Sequence, residues 1–360
     1  MTVTRFATID EHLGEGCGRF FGDGFKRVQR ELSDLDITLP GDGAGEIRGR
    51  AGLHYPDDWS CKGSRTDLQP HLSTIDGLLI TVDLVEAYLS RVYGFDAAQR
   101  RRMWLSTFVV SAGATPGKGI DEFAVTAIHR SCIRTGAPGT GYRSHFECRI
   151  GPLKGRCDVE HPPPGAPSAA QHFSGVEQIL GARAGGHYGS GYQRRIVAVR
   201  DLTLDSADRR VDATAGSTPH LREGTGFEGA YSRAMSMLDA LLVLAQLAQV
   251  LVYDVDSIPR AESNTLWMRR CALRRQSQDR PLAIDAAATA AIEQTKRLTL
   301  NGAAWRTFDV VGRFGGLDGR ASLAHQLPER LRSGAPADQS RSAGRIATLG
   351  DSLTSIPEVA

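Results

Sequence analysis

The residues of this sequence best suited to chemistry lie in one dense polar segment, WSCKGSRTDLQPHLSTID, at Trp59–Asp76. An apolar stretch follows and predicts a helix. His71 is our candidate general base because histidine titrates near neutral pH; the alternative is a capping or surface residue. A helix start favours anions, so we predict substrate contacts for the other polar residues here: Trp59, Lys62, Arg65, Thr66, Ser73 and Thr74.

Three acidic residues lie in the predicted helix at residues 73–93, whose apolar side chains cover every side. Asp76 and Asp83 are seven residues apart and share a face, and Glu86 is turned by roughly a quarter circle. A buried carboxylate is costly unless it is paired or hydrogen-bonded. We therefore predict that Asp83 and Glu86 act in catalysis or contact substrate, with buried salt bridges to arginines as the alternative. Asp76 is also a catalytic candidate. The alternative is a structural role, since an aspartate in the first turn of a helix is favoured by the helix dipole.

An internal duplication provides an equivalent for most of these residues. FFGDGFKR at residues 20–27 returns as HYGSGYQR at 187–194, and STIDGLLITVDLVEA at 73–87 returns as SMLDALLVLAQLAQV at 236–250. Further matching blocks keep the same order with nearly constant spacing. The unit is too long for a solenoid repeat, so the pattern indicates two fused copies of one domain.

The duplication predicts the domain organisation. We place a first repeat at residues 1–165 and a second at 171–327, joined by a Pro- and Ala-rich linker. Residues 328–360 are rich in Ser, Ala, Gly and Arg, so we predict a flexible C-terminal tail.

The second helix has an aspartate and two glutamines where the first has its three acids: Asp239, Gln246 and Gln249. We predict that Asp239 shares the role of Asp76, catalytic or structural. Ser236, Gln246 and Gln249 are predicted to contact substrate. No histidine stands directly before the second helix, so we expect one dominant site in the first repeat, with the second completing the pocket.

Another matched pair, His161 and His325, ends the last predicted strand of each repeat. The residues before them differ, CDVE in one repeat and ASLA in the other. We predict that this pair is structural rather than catalytic.

Composition and missing motifs exclude several classes of function. With 41% hydrophobic residues, 23% charged residues and a net charge of +2 among 360 residues, the chain is typical of soluble globular proteins, and we predict neither a nucleic-acid nor a membrane partner. The six cysteines are dispersed without a CxxC, which favours the cytoplasm. GxGxxG between strand and helix, GxxxxGK[ST], HExxH and GxSxG are all missing. We predict no metal and no cofactor.

The predicted elements indicate an α+β protein with antiparallel sheet. Six segments of the first half predict strands around its helix: residues 25–39, 46–55, 103–111, 122–132, 142–150 and 155–161. The second half repeats the order, with a helix near 228–253. Its segment 282–300 is ambiguous because an Ala-rich pattern favours helix where the first repeat favours strand.

The segment WSCKGSRTDLQPHLSTIDGLL and the opening IDEHLGEGCGRFFGDGFKRV resemble the avirulence D (AvrD) family, over nearly all of both repeats. Members of that family direct the synthesis of syringolides, which are acylated, sugar-derived elicitors. The architecture also resembles the enzymes that build γ-butyrolactone signals. The resemblance implies a tandem (double) hot-dog fold, in which one continuous antiparallel sheet wraps the long helix of each half.

What the resemblance implies is acyl transfer. A β-ketoacyl group would move from acyl carrier protein or coenzyme A to a hydroxyl of a ketose such as xylulose 5-phosphate, with an aldol-type closure to a butenolide. The helix would line an acyl tunnel and polarise the thioester carbonyl, and His71 would deprotonate the sugar. Lys62 and Arg65 would hold a phosphate. An aspartate would orient the histidine or the sugar, and no covalent intermediate is required.

Two other classes of function stay open. A hot-dog dehydratase, hydratase or thioesterase would act on acyl thioesters and need no sugar site. An inactive double hot-dog would bind an acyl compound as a sensor or scaffold. In each case we expect a monomer or homodimer, because the tandem repeat already contains an internal pseudo-dimer.

Overall fold

The computed structural model describes residues 3–39, 45–62, 69–113, 119–136, 141–165, 171–183, 185–218, 224–263, 265–275 and 285–328. The first half comprises β1 Val3–Thr8, α1 Asp10–Leu13, β2 Gln29–Thr38, β3 Gly45–His54, α2 Thr74–Val92, α3 Ala97–Arg101, β4 Trp104–Ser111, β5 Phe123–Arg134, β6 Tyr142–Ile150 and β7 Leu153–His161. The second half comprises β8 Gln171–Gly175, α4 Glu177–Leu180, β9 Val197–Asp205, β10 Arg210–Ser217, α5 Met237–Asp256, β11 Leu266–Arg275, β12 Ala286–Leu300, β13 Ala303–Phe314 and β14 Leu317–Gln326.

The strands of the described residues form one antiparallel sheet with an internal pseudo-twofold order. Its order is β1-β9-β10-β12-β13-β14-β11-β4-β7-β6-β5-β3-β2-β8. Each strand of one half has its counterpart at the same distance from the centre. The two halves join at the centre, where β4 pairs with β11 from Thr107 opposite Arg274 to Ser111 opposite Arg270.

The edge strands are exchanged between the halves. β1 pairs with β9, and β8 pairs with β2. Neither half therefore carries all the strands of its own part of the sheet. The repeat boundaries at residues 1–165 and 171–327 stay a prediction, and the tail lies outside the described residues beyond Pro328.

The two long helices begin at matching caps and are buried along most of their length. Ser73 accepts a hydrogen bond from the Asp76 amide while the Asp76 carboxylate accepts one from the Ser73 amide. Ser236 and Asp239 form the same capping box. Leu78, Val82 and their apolar neighbours are buried on every side of α2, and each such large side chain contributes about 1.5–3 kcal/mol on leaving water.

The sheet wraps both helices, which confirms the predicted fold class. α2 packs on β3 to β6, and α5 packs on β9, β10 and β12 to β14. In length and composition α5 resembles a membrane span, but 83% of its apolar window is buried within the protein, as expected for a core helix. The architecture is α+β, a tandem hot-dog with one continuous antiparallel sheet.

Two elements of the second half differ from simple readings of the sequence. The Ala-rich segment forms strand β12, with Ala288, Ala290 and Ile292 buried in alternation; its pairing with β10 and β13 outweighs the helical propensity of alanine. The helix expected near residue 228 starts at Met237, because the segment before it forms only a separate 3-10 turn at Gly229–Tyr231 and Ser236 provides the cap of the long helix.

Candidate active site

A cavity of about 600 Å³ lies between α5 and the sheet of the second half. Its inner wall is apolar, with Leu241, Leu244, Ala245 and Ala248 of α5 on one side and Leu273, Val310 and Leu323 of the strands on the other. The volume falls within the range of about 300–1,000 Å³ that is common for small-molecule sites. This apolar end of the cavity can hold an alkyl chain.

The other end of the cavity is polar and is formed mainly by the first repeat. His71, Ser73 and Thr74 line it where α2 begins, together with Trp59 and Lys62. The ring of Trp59 meets that of His71 edge-on, with centroids 6.4 Å apart. Burial lowers the pKa of His71 below its usual 6.5, so at neutral pH the imidazole is uncharged and can accept a proton.

Three cationic side chains also line this end. Lys62 Nζ lies 3.2 Å from the carbonyl oxygen of Ser263. Arg260 donates from Nη2 to the carbonyl oxygen of Gly18, 3.2 Å away. Arg19 lines the cavity between its contacts with Asp10 and Gln246. Neither Arg19 nor Arg260 was predicted from the sequence, because both reach the site from parts of the chain outside Trp59–Asp76. The repeated block beside Arg19 was the one available signal.

The two capping aspartates do not line this cavity. Asp76 accepts hydrogen bonds from Ser73 and Tyr55 and is paired with Arg30. Asp239 is held by its capping serine, 2.9 Å away, and by Arg195, 2.8 Å away. This geometry matches the structural alternative for both residues.

Glu86 lines a second, smaller cavity of about 190 Å³. Asp83 lies next to it, paired with Arg183, which also lines this cavity. Arg183, on a loop of the second repeat, donates to both carboxylate oxygens of Asp83. Glu86 accepts from the Phe227 amide at 3.1 Å, and Arg100 lies 3.7 Å away. Burial raises the pKa of Asp83, and that of Glu86 to about 7. The structure therefore separates these acids from His71.

The glutamines of α5 lie on the side of the large cavity. Gln249 lines it, while the side-chain oxygen of Gln246 accepts from Arg19 at 2.6 Å. The asymmetry between the repeats thus has a physical form. The helix with two amides borders the large cavity, whereas Asp83 of α2 is buried in an ion pair with Arg183.

Three further residues were predicted to contact substrate, and the structure describes only one of them, Ser236. Ser236 is buried at the start of α5, where its hydroxyl is 2.9 Å from Nε2 of His187. A histidine thus does stand beside the second helix start, supplied by the loop at 185–190 rather than by the preceding residues. Arg65 and Thr66 lie outside the described residues.

A model of the family described as Pseudomonas avirulence D protein (AvrD) matches residues 4–328. The chain belongs to the AvrD family. The family match covers both repeats, the polar segment before α2 and the whole lining of the large cavity. No curated protein matches this AvrD-family chain.

Solved structures similar to this AvrD-family protein include a hot-dog protein, a thioesterase and a dehydratase domain. A protein of unknown function with hot dog fold from Alicyclobacillus acidocaldarius shares 11% identity at a TM-score of 0.35, covering 81% of this chain and 96% of its own. A 12:0-ACP thioesterase from Umbellularia californica shares 13% at 0.34, covering 81% and 100%. A variant PpsC dehydratase domain from Mycobacterium tuberculosis shares 12% at 0.33, covering 82% and 98%.

Proposed function

We propose that this protein is an acyltransferase that joins a β-ketoacyl thioester, carried by acyl carrier protein or coenzyme A, to a ketose phosphate such as xylulose 5-phosphate. The product is a butenolide-type acyl sugar once the ring has closed. The observation that carries the proposal is the composition of one cavity. Its inner end is apolar, its outer end is cationic, and His71 stands at the outer end beside a helix N-terminus.

Each end of the cavity fits one substrate. The side chains of Leu241, Ala245 and Leu323 offer an alkyl chain only apolar contacts, and removing its surface from water favours binding. At the outer end, Lys62 and Arg260 provide positive charges for a phosphate, which forms strong charge-assisted hydrogen bonds. The reacting carbonyl would lie between these two regions, next to the start of α2.

The transfer needs one base and a site for the developing oxyanion. The sugar hydroxyl attacks the thioester carbonyl as its proton moves to His71, and the N-terminus of α2 stabilises the oxyanion. The tetrahedral intermediate then collapses, the carbon–sulfur bond breaks, and the thiolate takes the proton from His71. No net proton or electron is required from another reagent.

The experiment measures coenzyme A release from a β-ketoacyl-CoA with and without xylulose 5-phosphate. We expect release to depend on the sugar phosphate and to match the acylated sugar formed. His71→Gln should lower the rate by about 10²- to 10⁴-fold, whereas His172→Gln, at an exposed histidine of β8, should leave it unchanged. Continuous release of coenzyme A without sugar, over many turnovers, would indicate a thioesterase. Dehydration of a β-hydroxyacyl thioester would indicate a dehydratase, and binding without turnover would indicate a sensor.

A further inference from the structure

A buried Ser–His–Asp chain lies at the wall of the same cavity. Nε2 of His325 is 3.0 Å from Oγ of Ser263, and its Nδ1 is 2.7 Å from the carboxylate of Asp256. An ionised carboxylate only accepts hydrogen bonds, so in a neutral His325 ring Nδ1 carries the proton and Nε2 is the acceptor for the serine hydroxyl. These are the contacts that activate a serine nucleophile, and such a triad is recognised by geometry rather than by sequence order.

Three separate elements bring the residues together. Asp256 ends α5, Ser263 follows a short helical turn after it, and His325 lies near the end of β14. Arg306, opposite His325 in the register of β13 and β14, holds Asp256 in place through a 2.6 Å bond from Nε. Ser263 borders the cavity, as does Tyr253, whose hydroxyl is hydrogen-bonded to it.

The first repeat fills the equivalent place without a carboxylate. Nε2 of His161 is 2.8 Å from Ser144 Oγ, but its Nδ1 meets the carbonyl oxygen of Pro162 at 2.7 Å. The rings of Tyr93 and Tyr142 pack against it, and burial lowers the pKa of His161 to about 4. Tyr93 occupies the position that Asp256 takes in the second repeat.

This difference indicates that the fold does not need a charged group at that place. Burying Asp256 and Arg306 together costs desolvation energy that aromatic packing avoids. The repeat that carries the charges is the one whose helix and sheet form the large cavity. A chemical role explains both the additional cost and its location.

We propose that Ser263 is a nucleophile of this cavity, activated by His325 and Asp256, and that it carries the acyl group as an ester. The proposal rests on the thioester donor of the proposed function and replaces its direct transfer by two steps. Ser263 Oγ attacks the thioester carbonyl as its proton moves to His325. The carbon–sulfur bond then breaks, and the thiolate leaves with that proton.

The second step returns the serine. The sugar hydroxyl, held at the cavity mouth by His71, attacks the ester while its proton moves to His325. The bond from the acyl carbon to Ser263 Oγ breaks, and His325 gives the proton to that oxygen. Lys62 Nζ, 3.2 Å from the Ser263 carbonyl oxygen, places a positive charge beside the residue that carries the tetrahedral intermediate, whose oxyanion is the carbonyl oxygen of the acyl group.

Mass spectrometry of the intact full-length protein tests the acylation. The protein is mixed with a β-ketoacyl-CoA, without sugar, and quenched in acid. We expect the mass to rise by one acyl group and peptide mapping to place it on Ser263. Asp256→Asn should slow acylation by at least about 10²-fold, since the histidine loses its orienting carboxylate. His161→Gln alters the equivalent buried histidine of the first repeat and should leave the acylation rate of the folded protein unchanged.

A fluorophosphonate probe provides a second readout that needs neither thioester nor variant. Labelling of Ser263 supports the triad even if no acyl transfer is found, in which case the proposed function fails alone. Sugar-dependent transfer that persists in Ser263→Ala, or a transferring wild-type protein that neither probe modifies at Ser263, overturns the triad and leaves the proposed function standing.

Discussion

The guanidinium of Arg19, in the first repeat, donates a 2.6 Å hydrogen bond to the side-chain oxygen of Gln246, on the central helix of the second. The reverse crossing also exists, since Arg183 of the second repeat closes on Asp83 of the first helix. The two repeats thus complete each other's helix surroundings. The site at α5 has a neutral amide and an open cavity, whereas the corresponding place at α2 holds a buried ion pair.

Lys62→Ala should weaken the binding of a phosphorylated acceptor. A charge-assisted hydrogen bond contributes about 1.5–3 kcal/mol, so we expect KM for xylulose 5-phosphate to rise about 10- to 100-fold while KM for free xylulose changes little. Steady-state kinetics with both sugars measure this. Lys154→Ala, at an exposed residue of β7, is the control. An equal rise of KM for both sugars would show that Lys62 does not bind the phosphate.

Ala248→Phe should shorten the acyl chain that the protein accepts. Ala248 faces the cavity from α5, so the phenyl ring fills volume that a long acyl chain would occupy. The preference for a long over a short β-ketoacyl thioester should therefore fall by about tenfold or more. Competition between the two donors measures the ratio. Ala240→Phe, at a buried position of the same helix, should instead destabilise the protein by about 1–3 kcal/mol and keep the preference. An unaltered preference in Ala248→Phe would place the acyl chain elsewhere.

Arg183→Ala should destabilise the protein and leave the chemistry intact. The substitution leaves the Asp83 carboxylate, which is 8% exposed, without its cationic partner. Breaking such a buried pair lowers the free energy of unfolding by about 3–5 kcal/mol. Adding Asp83→Asn should recover part of that loss. Urea unfolding measures both variants, with Arg210→Ala, at an exposed pair with Asp212, as a control costing under about 1 kcal/mol. If transfer per folded molecule collapsed in Asp83→Asn alone, Asp83 would belong to the reaction.

Glu86 should make the native state less stable as the pH rises. Burial raises its pKa from 4.5 to about 7, so the folded protein keeps a proton that the unfolded chain releases between these values. The associated stability, on the order of 3 kcal/mol, is present below pH 4.5 and lost as the pH passes 7. Glu86→Gln, which copies Gln249 of the second repeat, should flatten this dependence in denaturant titrations at pH 5 and 8. An unchanged difference between the two pH values would contradict the assignment.

Local signals account for the parts of the fold that the sequence predicted well. Ser73 and Ser236 mark both long helices, because a capping serine followed by an apolar run is contained within one stretch of chain. Trp59, Lys62 and His71 could be grouped for the same reason, since they are close in sequence, and they line one cavity. The exchange of β1 and β8 was not foreseen, because strand partners are set by long-range register rather than by local pattern.

The remaining site residues meet only through the folded sheet. Ser263 and His325 are far apart in the chain and come together because β14 and the turn after α5 converge. The duplication did identify His325 as the counterpart of His161. It could not show that aromatic rings pack against His161 while His325 is hydrogen-bonded to Asp256. Equivalence in sequence therefore predicted the shared position and missed the difference in chemistry.

The most direct test of the acyl-transfer account is the mass of the product. A host that makes a β-ketoacyl pool is supplied with this chain alone, and its extract is compared with that of a host carrying His71→Ala. The account predicts a new compound whose carbon skeleton combines one β-ketoacyl group and one five-carbon ketose, absent with the variant. An extract with free β-keto acid and no such conjugate, or an identical conjugate with the variant, would contradict it.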